Sequence, residues 1–168
     1  MNIFYLDRSP IEAAKMHCDK HVPKMIVECY QMMGSSVIRH GATPDMMPLT
    51  KKQTPLKGGY HNHPSTRWTG ESRTNYLYVS YMAAMLCDEY TKRFGKRHFC
   101  EDGIEHLFGM SSMIPDGPMT APAQCMPDEF KDDDPVVAYR RYYHSKTFAA
   151  WNKGREAPAW WNGAEVAH

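Results

Sequence analysis

The stretch His17-Cys18-Asp19-Lys20-His21-Val22-Pro23-Lys24-Met25 sets two histidines, two lysines, an acid and a thiol around a proline, inside what otherwise reads as one long helix. Upstream, Ser9-Pro10-Ile11-Glu12 is a helix start: Ser9 caps, Pro10 suits the first helical position and Glu12 completes a capping box. From there the helix is expected to pass through Ala13, Ala14 and His17 and reach about Gly34. Pro23 should kink or restart it, because proline lacks an N–H and its ring clashes with the carbonyl four residues back, that of Asp19. Ahead of the helix, Ile3-Phe4-Tyr5-Leu6 reads as a short buried strand or an extended segment laid on the core.

Residues 41–62 hold three prolines, three glycines and three lysines with little periodicity, and are expected to form a loop. A second long helix is expected over about 65–94, with Tyr76, Val79, Ala83, Leu86 and Tyr90 on one buried face and Gly95 as its stop. A short helix is expected near 101–108, ended by Gly109. After another proline-rich loop, 111–134, Asp134-Pro135 starts a last helix that extends toward Trp151. The pattern predicts a mainly α fold: one compact domain over 1–168, with long irregular loops and a short extended N-terminal segment.

Composition narrows the class. The 168 residues are 42% apolar and 23% charged, which fits a globular chain of one domain. No apolar run approaches the 18 residues of a membrane span, and the first residues lack the basic start of a secretory signal, so a cytoplasmic protein with no membrane partner is expected. Five cysteines, an odd count without a CxxC spacing, favour reduced thiols. Most of the thirteen methionines read as adaptable core filler. Charge is uneven: residues 1–100 carry 14 Lys/Arg against 8 Asp/Glu, and residues 101–168 carry 6 against 11. A basic front half suits a face that meets an anion, although a mixed solvated surface has the same composition.

Several groups carry chemistry. His17 and His21, four apart, share a face on a helix and match a metal-ligand spacing for zinc or iron; the alternative is an ordinary hydrogen-bonded pair with no cofactor. Lys20 and Lys24, with Arg67 and Arg73, suit phosphates, and a lysine beside other cations can serve as an amine nucleophile; a solvated basic face is the plain alternative. His63-Pro64-Ser65-Thr66-Arg67-Trp68 stands where a loop becomes a helix. There His63 can act as acid or base, Ser65 can cap, and Glu71, Arg73 and Asn75 follow on the next turns. Trp160 and Trp161, beside Pro158, are the aromatics least easily assigned to a core, and bases stack on such rings.

Taken in order, these segments resemble the phage and bacterial pyrimidine-dimer DNA glycosylases of the endonuclease V type. Lys20-His21-Val22-Pro23-Lys24 looks like that family's Arg-Glu-Leu-Pro-Arg helix segment. Tyr60-His61-Asn62-His63-Pro64, with the helix ending Tyr90-Thr91-Lys92-Arg93-Phe94-Gly95, looks like its Gly-Tyr-x-Asn-His-Pro stretch and following helix. Trp160-Trp161-Asn162-Gly163 is similar to its aromatic C-terminal end. The chain is also similar to small phage proteins with the same His-Cys-Asp-Lys-His and Asn-His-Pro-Ser segments. The resemblance implies a compact helical fold acting on flipped or bent DNA in a bacterial or phage-infected cell.

Two features depart from the family pattern. The family's catalytic glutamate falls at His21. Its nucleophile is an N-terminal α-amine freed by loss of the initiator methionine, whereas Asn2 is a poor context for that loss. The two basic positions persist as Lys20 and Lys24. The first functional expectation is therefore an enzyme excising or modifying a pyrimidine in DNA. His21 and His63 would be acid/base groups, Lys24 an amine for an imine, Glu71 an orienting carboxylate, and His17, Lys20, Arg67, Arg73, Asn75, Trp160 and Trp161 substrate contacts. The alternatives are a phage transferase acting on a modified thymine, an enzyme of the same fold acting on nucleotides, and a non-catalytic phage factor that binds a nucleotide or a protein.

Overall fold

The computed structural model describes residues 1–164. Its helices are α1 (Pro10–Met16), α2 (His21–Arg39), α3 (Pro64–Thr69), α4 (Arg73–Phe94), α5 (Glu101–Phe108) and α6 (Pro135–Tyr143), and the described residues form no β-strand. Ile3–Leu6 is buried and laid on the core without pairing into a sheet, with Leu6 N–H turning back to the Phe4 carbonyl (2.8 Å). None of the helices is long and apolar enough to cross a membrane.

The expected helix from Ser9 to Gly34 is two helices. The break falls at His17–Lys20, before the proline, and α2 continues to Arg39. Pro23 is then the third residue of α2, where a backbone N–H has no intrahelical acceptor to lose, and the carbonyl its ring would strike, that of Asp19, lies outside the helix. The proline thus favours a start rather than a kink. Tertiary hydrogen bonds satisfy the break: Cys18 N–H donates to Tyr143 Oη (2.8 Å), Asp19 N–H to the Ala150 carbonyl (2.9 Å), and Arg93 reaches the Lys15 and His17 carbonyls (2.9 and 2.7 Å).

The expected 65–94 helix is likewise two, α3 and α4, because Ser72 accepts the Asn75 N–H and caps a fresh start after Gly70. Gly95 ends α4 at φ +73°, a left-handed conformation glycine adopts without strain. Helix α6 stops at Tyr143, short of Trp151; the Ser145 hydroxyl donates back to the Tyr142 carbonyl as the chain turns away.

Helices α2 and α4 form the central pair, with α1 packed on α4. Val22, Met25, Ile26, Met32 and Met33 of α2 and Tyr76, Val79, Met82, Ala83 and Leu86 of α4 are all fully buried in the shared core. Burying each large side chain contributes about 1.5–3 kcal/mol. Tyr90, expected on the same face, is half-buried. Five free cysteines are present, four of them in the core. Gly103 lets α5 sit directly on the Tyr30 ring, where a Cβ would collide.

Candidate active site

Positions along α2 at intervals of three and four define a polar edge: His21, Lys24, Glu28, Gln31 and Ser35. His21 and Glu28 are seven residues apart, two turns or about 10 Å along the axis. Lys24, exposed, stands between them.

Glu28 is buried, and its Oε1 lies 3.1 Å from the N-terminal ammonium and 3.1 Å from the Asn2 nitrogen. The Asn2 side chain fixes that backbone: its Oδ1 accepts the Tyr139 hydroxyl (2.8 Å) and its Nδ2 donates to the Cys125 carbonyl (2.9 Å). His63 caps α3, with Nδ1 accepting the Ser65 N–H at 3.1 Å. Its pKa is lowered, first by burial and next by the N-terminal ammonium, with Glu28 acting in the opposite sense. The amine and the Glu28 carboxylate are thus in contact, and His63 lies within reach of both charges. Ser65 Oγ lies 3.3 Å from Cys125 Sγ behind it, and Arg67 stands one turn along α3 from His63, exposed and hydrogen-bonded to Asn62.

The loop carrying His63 is stapled to α2. Ser35 Oγ accepts the Gly59 N–H (2.8 Å) and donates to the Gly59 carbonyl (2.9 Å). Gly58, at φ +71°, passes so close to Ser35 that a Cβ there would strike its hydroxyl and backbone. Tyr60, also at positive φ (53°), is left 63% exposed beside the site.

The second group is His17, in the break after α1, and His21, the first residue of α2, with ring centroids 6.4 Å apart. His17 Nδ1 lies 2.6 Å from the Ala13 carbonyl, so it carries the proton, and its Nε2 is buried without a partner among the described residues. Tyr143 Oη accepts from Cys18 N–H and lies 2.9 Å from His21 Nδ1. A buried hydroxyl needs an acceptor for its own hydrogen, so it donates to Nδ1 and the His21 proton sits on Nε2. Burial is the main cause that lowers the pKa of His17 to about 4 and of His21 to about 3; the nearby His17, Lys24, Lys146 and Lys20 push His21 further down. Among the described residues no set of three or more His, Cys, Asp or Glu side chains is placed to hold a metal, so this pair stands without further ligands. Trp160 and Trp161 pack against Tyr143 and His144 behind the pair.

Glu71, Arg73 and Asn75 form a third group, apart from both. Glu71 accepts the Thr120 hydroxyl, Asn75 exchanges hydrogen bonds with Thr120 and reaches the Trp68 carbonyl, and Arg73 holds the Ser112 carbonyl and Asp116. Together they clamp the loop after α5 onto α3 and α4.

Residues 1–102 match the family model described as pyrimidine dimer DNA glycosylase. The chain belongs to that family. No curated protein matches it, and no solved structure does. For a DNA glycosylase family the charge layout is apt: Lys20, Lys24, Arg39, Lys51, Lys52, Lys57, Arg67 and Lys146 meet no carboxylate among the described residues, nor do Lys92, Lys96 and Lys153, while every other arginine does. Sequence reasoning missed Glu28. Its signal was present, since it is the only acid between Asp19 and Asp45 and it continues the edge begun by His21 and Lys24.

Proposed function

We propose that the protein is a DNA glycosylase that excises a pyrimidine lesion through an imine formed by an α-amine, with Glu28 as the carboxylate partner and His63 as the neighbouring acid/base group. The observation that carries this reading is the 3.1 Å approach of the ammonium to Glu28 beside His63. The family's chemistry calls for an amine and a carboxylate in contact, and Glu28 answers that need from a position seven residues past His21. The Asn2 nitrogen is equally close to the same oxygen, so an amine at either residue meets the carboxylate. As a class, α-amines are less basic than lysine side chains, which favours this amine over Lys24 as nucleophile near neutral pH. The free amine attacks C1′ of the lesion nucleotide as the glycosidic bond breaks, and the base departs with its bonding pair and takes a proton from solvent. Glu28 takes the proton the nitrogen sheds; the nitrogen lone pair then forms the protonated C1′=N imine as the C1′–O4′ bond opens, and the proton held by Glu28 passes to O4′. Lys20, Lys24 and Arg67 hold phosphates on the same face.

Borohydride reduction during reaction with an oligonucleotide carrying a cyclobutane pyrimidine dimer tests this. The expected result is a covalent adduct that peptide mass mapping assigns to the N-terminal peptide. An adduct on Lys24 would move the chemistry to the lysine, and base excision without any trapped species would sink the imine.

A second reading has one observation in its favour. A cavity of about 530 Å³ lies between α2 and the 49–58 loop, lined by Val27, Tyr30 and Phe99 and by Lys51, Lys52 and Lys57. Its aromatic walls and free lysines suit a nucleotide, as an enzyme transferring a group to a modified thymine or acting on nucleotides would need. Product nucleosides that gain mass without base loss would select it.

A further inference from the structure

The family match ends at residue 102, yet His21 is completed by residues beyond it. Tyr143 fixes its tautomer, and Phe148, from the segment after α6, covers it with ring centroids 5.3 Å apart. Phe148 is 41% exposed. Lys20 Nζ stands 4.9 Å from its centroid, and Lys146 Nζ lies 3.9 Å from the Tyr142 ring and 5.8 Å from Phe4. Lys20, Lys24 and Lys146 form no ion pair among the described residues. The acid nearest in sequence, Asp19, is turned inward to Arg93 and the Asn152 N–H. An exposed aromatic ring therefore sits among unpaired cations, over an imidazole whose Nε2–H is fixed as a donor and has no partner among the described residues.

We propose that this patch is a second contact for the substrate strand: an unstacked base lies against Phe148, His21 Nε2–H donates to an acceptor oxygen of that base, and Lys20, Lys24 and Lys146 hold the flanking phosphates. Base–aromatic stacking needs an accessible π-face with cations in reach of the backbone, and both are present here. An acidic peptide would satisfy the lysines but leave the ring and the donor unused. The inference rests on the nucleic-acid part of the proposed function and not on its imine chemistry.

The test measures anisotropy of two fluorescein-labelled 12-mers, oligothymidylate and a fully abasic strand. The wild-type protein should prefer the base-bearing strand. Phe148→Ala should weaken oligothymidylate binding by about tenfold, leave the abasic strand within about twofold, and be rescued by Phe148→Trp. Lys146→Ala should weaken both strands alike and reduce the salt dependence by about one counterion. A preference unchanged in Phe148→Ala, failure of Phe148→Trp to rescue, or displacement of the strand by polyglutamate at equal charge would each overturn the proposal. Borohydride trapping is read separately, so loss of one result with retention of the other identifies which reading has failed.

Discussion

Glu28 on α2 and Glu89 on α4 are both buried, and both face a positive charge, yet they are finished differently. Glu89 is saturated: Oε1 receives Arg93 Nε and Nη2 and Arg155 Nε, and Oε2 receives Arg155 Nη2 at 2.7 Å. Burial works against its charge, but these hydrogen bonds from Arg155 and Arg93 hold the carboxyl below its usual range. Arg93, fully buried, also binds Asp19 and the carbonyls of Lys15 and His17, so one guanidinium ties α1, the start of α2 and α4 together. Glu28 places both of its hydrogen bonds on Oε1, and Oε2 has no partner among the described residues. A carboxylate with both oxygens held by guanidinium groups can only stabilise; one with an oxygen in reserve can also accept a proton.

Acid challenges the closed side most. His17 and His21 are neutral in the fold, with values of about 4 and about 3, and return to an ordinary 6.5 when unfolded. The unfolded chain therefore binds more protons below pH 6.5. Stability is complete above that value and falls as pH drops toward 4, by up to about 1.4 kcal/mol per pH unit for each histidine. Urea midpoints at pH 7, 5.5 and 4.5 should decline steeply, and a flat series would contradict the buried neutral pair. Next in size, Arg93→Ala should cost about 3–5 kcal/mol, since it takes the buried cation from Asp19 and leaves Glu89 to Arg155 alone; a loss under about 1 kcal/mol in urea unfolding would make Glu89 no more closed than Glu28.

On the open side the effect should appear in turnover rather than stability. Glu28→Gln should lower base excision on the order of a hundredfold or more while the thermal midpoint moves by only a few degrees. If instead the midpoint collapses, Glu28 is a structural lock like Glu89. Asn2→Ala, which removes the anchor for the amine, should cost about 1–2 kcal/mol and reduce trapping with borohydride. The smallest effect is expected for Ser35→Ala: about 1 kcal/mol, with a greater loss of excision if the stapled 57–63 loop positions His63.

Much of the framework was legible along the chain because its signals are local. Ser9-Pro10 and Asp134-Pro135 start helices, Gly95 and Gly109 end them, and the spacing Tyr76, Val79, Ala83, Leu86 names a buried face. The helix break at His17–Lys20 was less legible, since the groups that satisfy it, Arg93, Tyr143 and Ala150, are distant in sequence. The same reason separates Glu71, Arg73 and Asn75 from His63. They follow it closely in sequence, but the restart of α4 at Ser72 turns them toward Thr120 and Asp116.

By itself the sequence determined that the chain is helical, where its loops fall, that its front half is basic, and which family its motifs resemble, because caps, periodicity and short motifs act over a few residues. Only the tertiary structure decided which carboxylate meets the amine, which tautomer His21 holds, and that Phe148 returns to cover it. Those depend on pairings between residues 26 to 127 positions apart, and a buried polar group takes whatever partner the packed core brings within hydrogen-bonding distance.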